Sequence, residues 1–416
     1  MTDFEVHLSL EGGARHIGRA RSNRVRGKET VIFEYSDEWL SDADRFELEP
    51  GLPLTRGGFA PPAGQNIHGA LGDSAPDTWG RRLMQRAERR QAKREGRAVR
   101  TLMESDYLLG VSDESRLGAL RFRRADGEVF LAESPQGIPA LMELGRLLQC
   151  TERILRDEET EEDLQLIFAP GSSLGGARPK ASVVDQHGRL SIAKFPKESD
   201  EYSIETWEEI ALRLAKRAGI ATPHHELLQV AGRAVLLSRR FDRADGRRIP
   251  FLSAMALLGA KDGQTGSYPE MVDALARHGS QAKKDAQALY RRVAFNVLVS
   301  NVDDHLRNHG FLRIHRSGWT LSPAYDLNPV PADLKARVLT TNINPEESTC
   351  SVDLLEASAE YFALSLPEAR RILKEVAAAT SSWRSVAKEV GASAKEIHRM
   401  DSAFEHEALQ QALALP

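Results

Sequence analysis

Asp303 and Asn308 stand five positions apart in V-A-F-N-V-L-V-S-N-V-D-D-H-L-R-N-H-G-F, residues 293–311. An apolar run carries the chain into this polar cluster, and apolar residues resume beyond it. A carboxylate and an amide at this separation suit phosphoryl transfer. The carboxylate can meet an attacking hydroxyl while the amide oxygen holds a metal ion on the phosphates, and a tight loop of this length aims both at one group. Asp and Asn also serve as turn and cap residues. The chemistry therefore requires three further parts: a phosphate-covering loop, a strand lysine and a second metal-binding carboxylate downstream.

All three follow in the order of a protein-kinase chain. Residues 167–184 read I-F-A-P-G-S-S-L-G-G-A-R-P-K-A-S-V-V, a small-residue loop ahead of a strand. Small residues let backbone N–H groups approach phosphate oxygens. The loop lacks the ending of a Walker A motif and the G-x-G-x-x-G of kinases. Its candidates for touching a nucleotide are Ser173, Gly175, Gly176, Ala177, Arg178 and Lys180. One hairpin later Lys194 closes the alternating run L-S-I-A-K-F, where a lysine can neutralise phosphate charge. On the next helix Glu208 shares a face with Ala211, Leu212 and Ala215 and is a candidate partner for Lys194; Glu205 and Glu209 compete for that role. Residues 234–243 read as a strand running into a basic tip, where Arg239, Arg240 and Phe241 would be the adenine-binding hinge of a kinase. Asp326, eighteen positions past Asn308 in S-P-A-Y-D-L, is the second metal candidate. Mg²⁺ keeps several waters, so one amide oxygen and one carboxylate suffice for it.

The elements that must position these residues can be read in outline. Strands are expected over 4–10 and 30–35. A helix follows in L-G-D-S-A-P-D-T-W-G-R-R-L, with Asp73 or Ser74 as cap, Pro76 in the first turn and an apolar stripe of Trp79, Leu83 and Met84. Residues 81–100 are rich in arginine; Glu88 and Glu95 interrupt the run, which favours a solvated helix face over contact with an acidic partner or DNA. Two short strands are expected in 117–131, joined at Asp126-Gly127, and a helix over 139–156. The acidic run 157–163 reads as an exposed loop or helix start. Ser203 caps a helix over 203–218 that Gly219 ends. Beyond 352 the pattern is helical, with one helix starting at Pro367-Glu368 and another running from Ser393 or its neighbours to Leu413. Boundaries fall near 135 and 245, giving segments 1–135, 136–245 and 246–416.

Composition sets limits on the whole. The 416 residues are 41% hydrophobic, as in a globular protein with room for several domains. Lys and Arg number 56 against 60 Asp and Glu, so no basic excess marks nucleic acid as the main ligand. Two cysteines, Cys150 and Cys350, make neither a disulfide framework nor a thiolate zinc site, and they fit a cytoplasmic protein. No signal peptide and no membrane helix is expected.

Together, S-S-L-G-G-A-R-P-K, L-S-I-A-K-F-P, R-R-F-D-R, N-V-D-D-H-L-R-N-H-G-F and S-P-A-Y-D-L resemble the HipA family of bacterial toxin kinases. The segment L-G-D-S-A-P-D-T-W-G-R-R-L is similar to that family's first domain, so the resemblance covers nearly the whole chain. It implies an α+β, eukaryotic-protein-kinase-like, two-lobed fold with an added N-terminal β-rich subdomain and a mostly helical C-terminal lobe. It implies ATP and Mg²⁺, and Ser/Thr phosphorylation of a protein such as an aminoacyl-tRNA synthetase. It also implies a helix-turn-helix antitoxin like HipB, which binds operator DNA.

Carried over, Asp303 becomes the catalytic aspartate, Lys194 the phosphate lysine, and Asn308 and Asp326 the metal residues. His305 becomes a residue ordering the loop through hydrogen bonds. Ser173 becomes the autophosphorylated serine, with Ser172 beside it as the alternative. Three positions depart from the family pattern: Arg239 stands where a glutamate is frequent, A-R-P-K replaces A-Q-E-K, and Asp304 adds a carboxylate that either tunes the metal or is solvated. A small-molecule kinase and a DNA co-repressor acting with the antitoxin are the rival readings.

Overall fold

The structure, a computed structural model, describes residues 2–125, 127–132, 137–168 and 176–416. They form two compact units. One comprises Met1–Lys197, Val230–Arg233 and Leu237–Lys261; the other comprises Glu198–Gln229, Ala234–Leu236 and Asp262–Pro416.

The first unit opens on five strands: β1 (Thr2–Leu10), β2 (Gly13–Val25), β3 (Lys28–Tyr35), β4 (Gly58–Phe59) and β5 (Leu120–Arg124). They pair antiparallel in the order β4-β3-β2-β1-β5. Alternation places Phe4, Val6 and Leu8 of β1 in the core with Phe33 and Phe122. Phe4 meets Phe122 edge to face at 5.7 Å.

The arginine helix is Thr78–Arg94, and its cap is Asp77, which accepts the Gly80 N–H at 2.9 Å. The expected caps serve elsewhere. Asp73 accepts the Ser253 N–H and hydroxyl at 2.6 and 2.8 Å. Ser74 gives its carbonyl to Arg116. Trp79, Leu83 and Met84 are buried as expected.

Further along the stripe that Trp79 and Leu83 begin, the helix pairs with the acidic run. Arg86 lies 2.9 Å and Arg90 3.2 Å from Glu159, and Arg94 lies 2.6 Å from Glu161. Arg97 and Arg100 converge on Glu88, and Arg81 grips Glu104 through two bonds of 2.8 and 2.7 Å. The acidic run leads into the helix Glu161–Phe168, where Thr160 and Asp163 cap each other.

Two further strands, β6 (Lys180–Val184) and β7 (Leu190–Lys194), form the lysine hairpin in this unit, turning at Gly188 with φ +71°. Their register sets Lys180 opposite Lys194. The Arg240 N–H continues the sheet onto the Leu190 carbonyl.

The second unit is mostly helical. Its helix Ile204–Arg217 is capped by Ser203 and closed at Gly219, whose φ of +76° suits a residue without a Cβ. Helix Ala282–Leu298 is buried at every position from Arg292 to Leu298, so its last turns lie inside the core rather than on it. Trp383 stacks on Phe404 at 4.7 Å, with Trp207 at 6.1 Å.

A helix does start at the expected Pro367-Glu368, as Leu366–Ser381, with Pro367 in its first turn, and the structure adds a Ser365/Glu368 capping box. The long helix expected from Ser393 is instead three pieces, Ala394–Arg399, Asp401–Phe404 and Glu407–Ala414. His406 interrupts it. Its Nδ1 caps the last piece through the Leu409 N–H, and its Nε2 meets the Leu298 carbonyl at 3.1 Å, a tertiary bond that local propensity does not show. Among the described residues no helix is long and apolar enough to cross a membrane.

Candidate active site

In the second unit, helix Ala282–Leu298 runs into the loop through Ser300, which sits at φ +52°. The bend is held by Asn301 N–H on the Asn296 carbonyl and Ser300 Oγ on the Ala403 carbonyl. The loop then makes one 3-10 turn, Leu306–Asn308, and enters the strand Gly310–His315. Asn308 Nδ2 donates to the Asp303 carbonyl at 3.0 Å, so the amide is fixed relative to the carboxylate five positions before it. Asn308 Oδ1 is buried and, among the described residues, accepts no hydrogen bond. A buried acceptor without a donor is costly unless something else completes it. A cation does so, and this oxygen is of the hard type that Mg²⁺ takes.

Asp326 is tied to the same loop through the residue before it. Tyr325 donates its hydroxyl to the Arg307 carbonyl at 2.7 Å, which ties the residue before Asp326 to the residue before Asn308. Asp326 itself lies at φ +58°, a conformation that costs a non-glycine residue energy and is concentrated at functional sites. Its Oδ1 accepts from Asn328 Nδ2, the Asn328 N–H donates to Asn301 Oδ1, and Asn301 Nδ2 donates to Asn296 Oδ1. Asn296 Nδ2 then meets the Tyr268 hydroxyl, which donates to Asp304. One chain of hydrogen bonds therefore runs from Asp326 to the residue beside Asp303.

Of the two readings of Asp304, burial removes the solvated one: it is 1% exposed. Burial works to raise its carboxyl, but the His309 ring, 2.8 Å away, and the Tyr268 hydroxyl outweigh burial and hold it below the ordinary range. Burial, aided by that carboxylate, pushes the Tyr268 hydroxyl well above its ordinary 10.0. Asp303 is the opposite case, with a side chain 64% exposed and Oδ1 3.1 Å from Lys335 Nζ. His305 orders the loop through its backbone, donating to the Asp303 carbonyl and accepting from the Asn308 N–H; its ring Nδ1 is buried without a hydrogen bond.

Asp303, His305, Asn308 and Asp326 thus gather in the second unit. Glu208 also belongs to it, buried on the helix Ile204–Arg217. Its competitor Glu209 is engaged by Arg213 and His225, each at 2.6 Å. The remaining candidates belong to the first unit. Lys194 is half-buried at the end of β7. Lys180 is buried, with Nζ 2.8 Å from Asp77 and 3.2 Å from the Gly176 carbonyl. Gly176 is exposed, and Ala177 and Arg178 are half-buried. Arg240 is enclosed, its guanidinium on Asp242 and the Ser115 carbonyl, while Arg239 and Phe241 are half-buried on either side. Ser172, Ser173 and Gly175 lie outside the described residues.

Sequence reasoning missed Lys335, and it missed the buried ladder of Asn296, Asn301, Asn328 and Tyr268. The ladder did leave a signal: Asn296 and Asn301 stand inside an otherwise apolar run, where an amide must find a partner.

The fold is α+β and protein-kinase-like. It matches the HipA chain of the Shewanella oneidensis toxin–antitoxin complex of HipA, HipB and operator DNA, with a TM-score of 0.63 over 99% of this chain and 96% of that one, at 19% identity. A second solved structure, the Helicobacter pylori proinflammatory kinase CtkA, is looser, with a TM-score of 0.46 at 15% identity over 59% of this chain and 94% of that one. The chain belongs to the HipA family: the HipA-like C-terminal domain matches residues 172–383 and the HipA N-terminal domain matches residues 13–105. A curated Haemophilus influenzae relative named "Putative kinase" is 26% identical over 198 residues. That match takes in 41% of this chain and 57% of the relative's length.

Proposed function

We propose that this chain is an ATP- and Mg²⁺-dependent Ser/Thr protein kinase, the toxin of a toxin–antitoxin pair. Family membership supports the class, and the observation that carries the chemistry is the loop 303–308. Asp303 presents an exposed carboxylate, while Asn308, fixed to its backbone, holds a buried oxygen that nothing else completes. Asn308 and Asp326 would hold Mg²⁺, which when bound neutralises phosphate charge as the phosphoryl group moves. Asp303 orients the acceptor hydroxyl and takes its proton as the new O–P bond forms and the bond to ADP breaks. Lys194 and the loop 171–180 would bind the phosphates, Glu208 would orient Lys194, and Arg239–Phe241 would form the adenine hinge. The segments 1–135, 136–245 and 246–416 would be the N-terminal subdomain, the small lobe and the helical lobe.

In this reading the acceptor is a protein, possible targets including an aminoacyl-tRNA synthetase, and Ser173 or Ser172 accepts phosphate in self-inactivation. A HipB-like antitoxin restrains the chain in the cytoplasm and brings it to operator DNA. Exposure of Asp303 favours a protein acceptor over a small metabolite. The acidic groups that pair with Arg86, Arg90 and Arg94 compete with phosphates for the one stretch that favours the DNA co-repressor reading.

The test is incubation of the full chain with γ-labelled ATP, alone and with aminoacyl-tRNA synthetases. Transfer that disappears in Asp303→Asn is expected. ATP binding without transfer to any acceptor, or rapid turnover on one sugar or alcohol, would overturn the reading.

A further inference from the structure

The segment 330–341 is anchored to the catalytic loop at both ends. On one side the Val330 N–H donates to the Ser300 carbonyl. On the other, Arg337 bonds Ser300 Oγ at 3.0 Å and the Val297 carbonyl at 2.9 Å. Thr340 bonds the Val302 carbonyl at 3.0 Å and Thr341 the Asp304 carbonyl at 2.5 Å. Between these anchors the chain turns on the Pro331 carbonyl, which accepts the Leu334 and Lys335 N–H groups. Asp333 holds Arg399 at 2.8 Å, and Ser402 Oγ accepts the Ala332 N–H. Lys335 stands at the crest of this braced arch, with its ammonium 3.1 Å from Asp303 Oδ1. Among the described residues Asp303 Oδ2 has no hydrogen bond, so the lysine engages one carboxylate oxygen and leaves the other open.

We infer that Lys335 is the positioning residue of the proposed phosphoryl transfer, setting the rotamer of Asp303 so that Oδ2 faces the acceptor hydroxyl. This rests on the kinase reading above. An ion pair exposed 46% on one side and 64% on the other contributes little to stability, so its value to the chain lies in geometry. An unrestrained Asp303 at that exposure samples several rotamers, and each misdirected one loses the near-attack arrangement. Sequence position adds to this: the lysine comes from 32 residues downstream, on a segment whose other bonds reach the backbone on both sides of Asp303.

The experiment compares wild type, Lys335→Ala and Lys335→Arg as full chains, by single-turnover phosphate release or self-transfer from γ-labelled ATP. Nucleotide affinity and thermal midpoint are measured alongside. Lys335→Ala should lose on the order of 10- to 100-fold in rate, with ATP affinity and melting unchanged, and Lys335→Arg should recover most of the rate. An alanine variant as fast as wild type overturns the inference, as does a faster one, which would make Lys335 a cap on the base. An arginine variant as slow as the alanine overturns it too. A wild type that binds ATP and transfers nothing sinks the kinase reading and this inference together, whereas an active wild type with an indifferent Lys335→Ala sinks this inference alone.

Discussion

The arginine helix Thr78–Arg94 and the loop 301–309 are both dense in charged and polar groups, and they treat them in opposite ways. Along the helix, Arg86, Arg90 and Arg94 each meet a carboxylate of the acidic run, and Arg97 and Arg100 share Glu88. Deeper in the same unit, Asp242 lies between Arg240 and Arg243 and accepts the Gly118 N–H. In the loop the groups that could do chemistry are left incomplete: Asp303 is exposed, and Asn308 Oδ1 and His305 Nδ1 are buried without partners. Around them a continuous chain of hydrogen bonds runs from Asp326 to Asp304, with Asn328 Oδ1 left unbonded among the described residues. A dense charge run is therefore a poor marker of function in this chain. The informative feature is an unbonded amide oxygen fixed beside an exposed carboxylate, because buried polar atoms without partners also occur elsewhere, at Arg116 Nε and Arg248 Nη1 among others.

The contrast predicts that loop substitutions remove activity without stability, and that breaking a buried pair in the first unit costs stability. Asp303→Asn should cut phosphate transfer by about 10²–10⁴-fold. Its chemical-denaturation midpoint should stay at the wild-type value, because an exposed side chain contributes little to folding. A variant that lost both would make Asp303 a structural residue and erase the distinction. Asp242→Ala comes next. Both Asp242 and Arg240 have side chains only 1% exposed, and removing the carboxylate strands a guanidinium inside the protein. The cost should be about 3–5 kcal/mol in urea unfolding. If it costs no more than an exposed pair, the buried charges of the first unit are not what holds it.

How far these differences were legible from sequence depends on the range of the interaction. That Asp303 and Asn308 lie together could be read because only five positions separate them. Ser203 could be read as a cap because the bond it makes reaches only Thr206. Asp303 and Asp304 look alike in sequence, yet one is exposed and the other buried on Tyr268, 36 positions away. Arg86, Arg90 and Arg94 recur every four positions, but Glu159, the partner of the first two, lies 69 positions from Arg90, and local spacing does not name it. For the same reason Asp73 looked like a helix cap when its partner is Ser253.

A smaller effect separates Glu88 from the rest of the helix. The Arg97 side chain, with the Arg100 backbone N–H, draws its carboxyl from an ordinary 4.5 down to about 2. A carboxyl depressed by folding contributes stability that is fully present above its unfolded value and is lost as pH falls toward its folded one. Thermal midpoints of wild type and Glu88→Gln should thus differ above about pH 4.5 and converge as the pH approaches about 2. A gap that persists undiminished at the lowest pH would assign the role of Glu88 to packing instead of charge.

The smallest effect belongs to the exposed end of the same helix. Arg94 and Glu161 are 2.6 Å apart, but their side chains are 62% and 53% exposed. Water and salt screen such a pair, and holding two long side chains in one geometry costs entropy. Arg94→Ala should therefore change unfolding free energy by no more than about 0.5 kcal/mol, and that change should vanish in high salt. A loss comparable to that of Asp242→Ala would mean that the surface pairs act as one cooperative network. The arginine run would then be a structural brace along its whole length, and its outermost pairs would behave as the buried ones do.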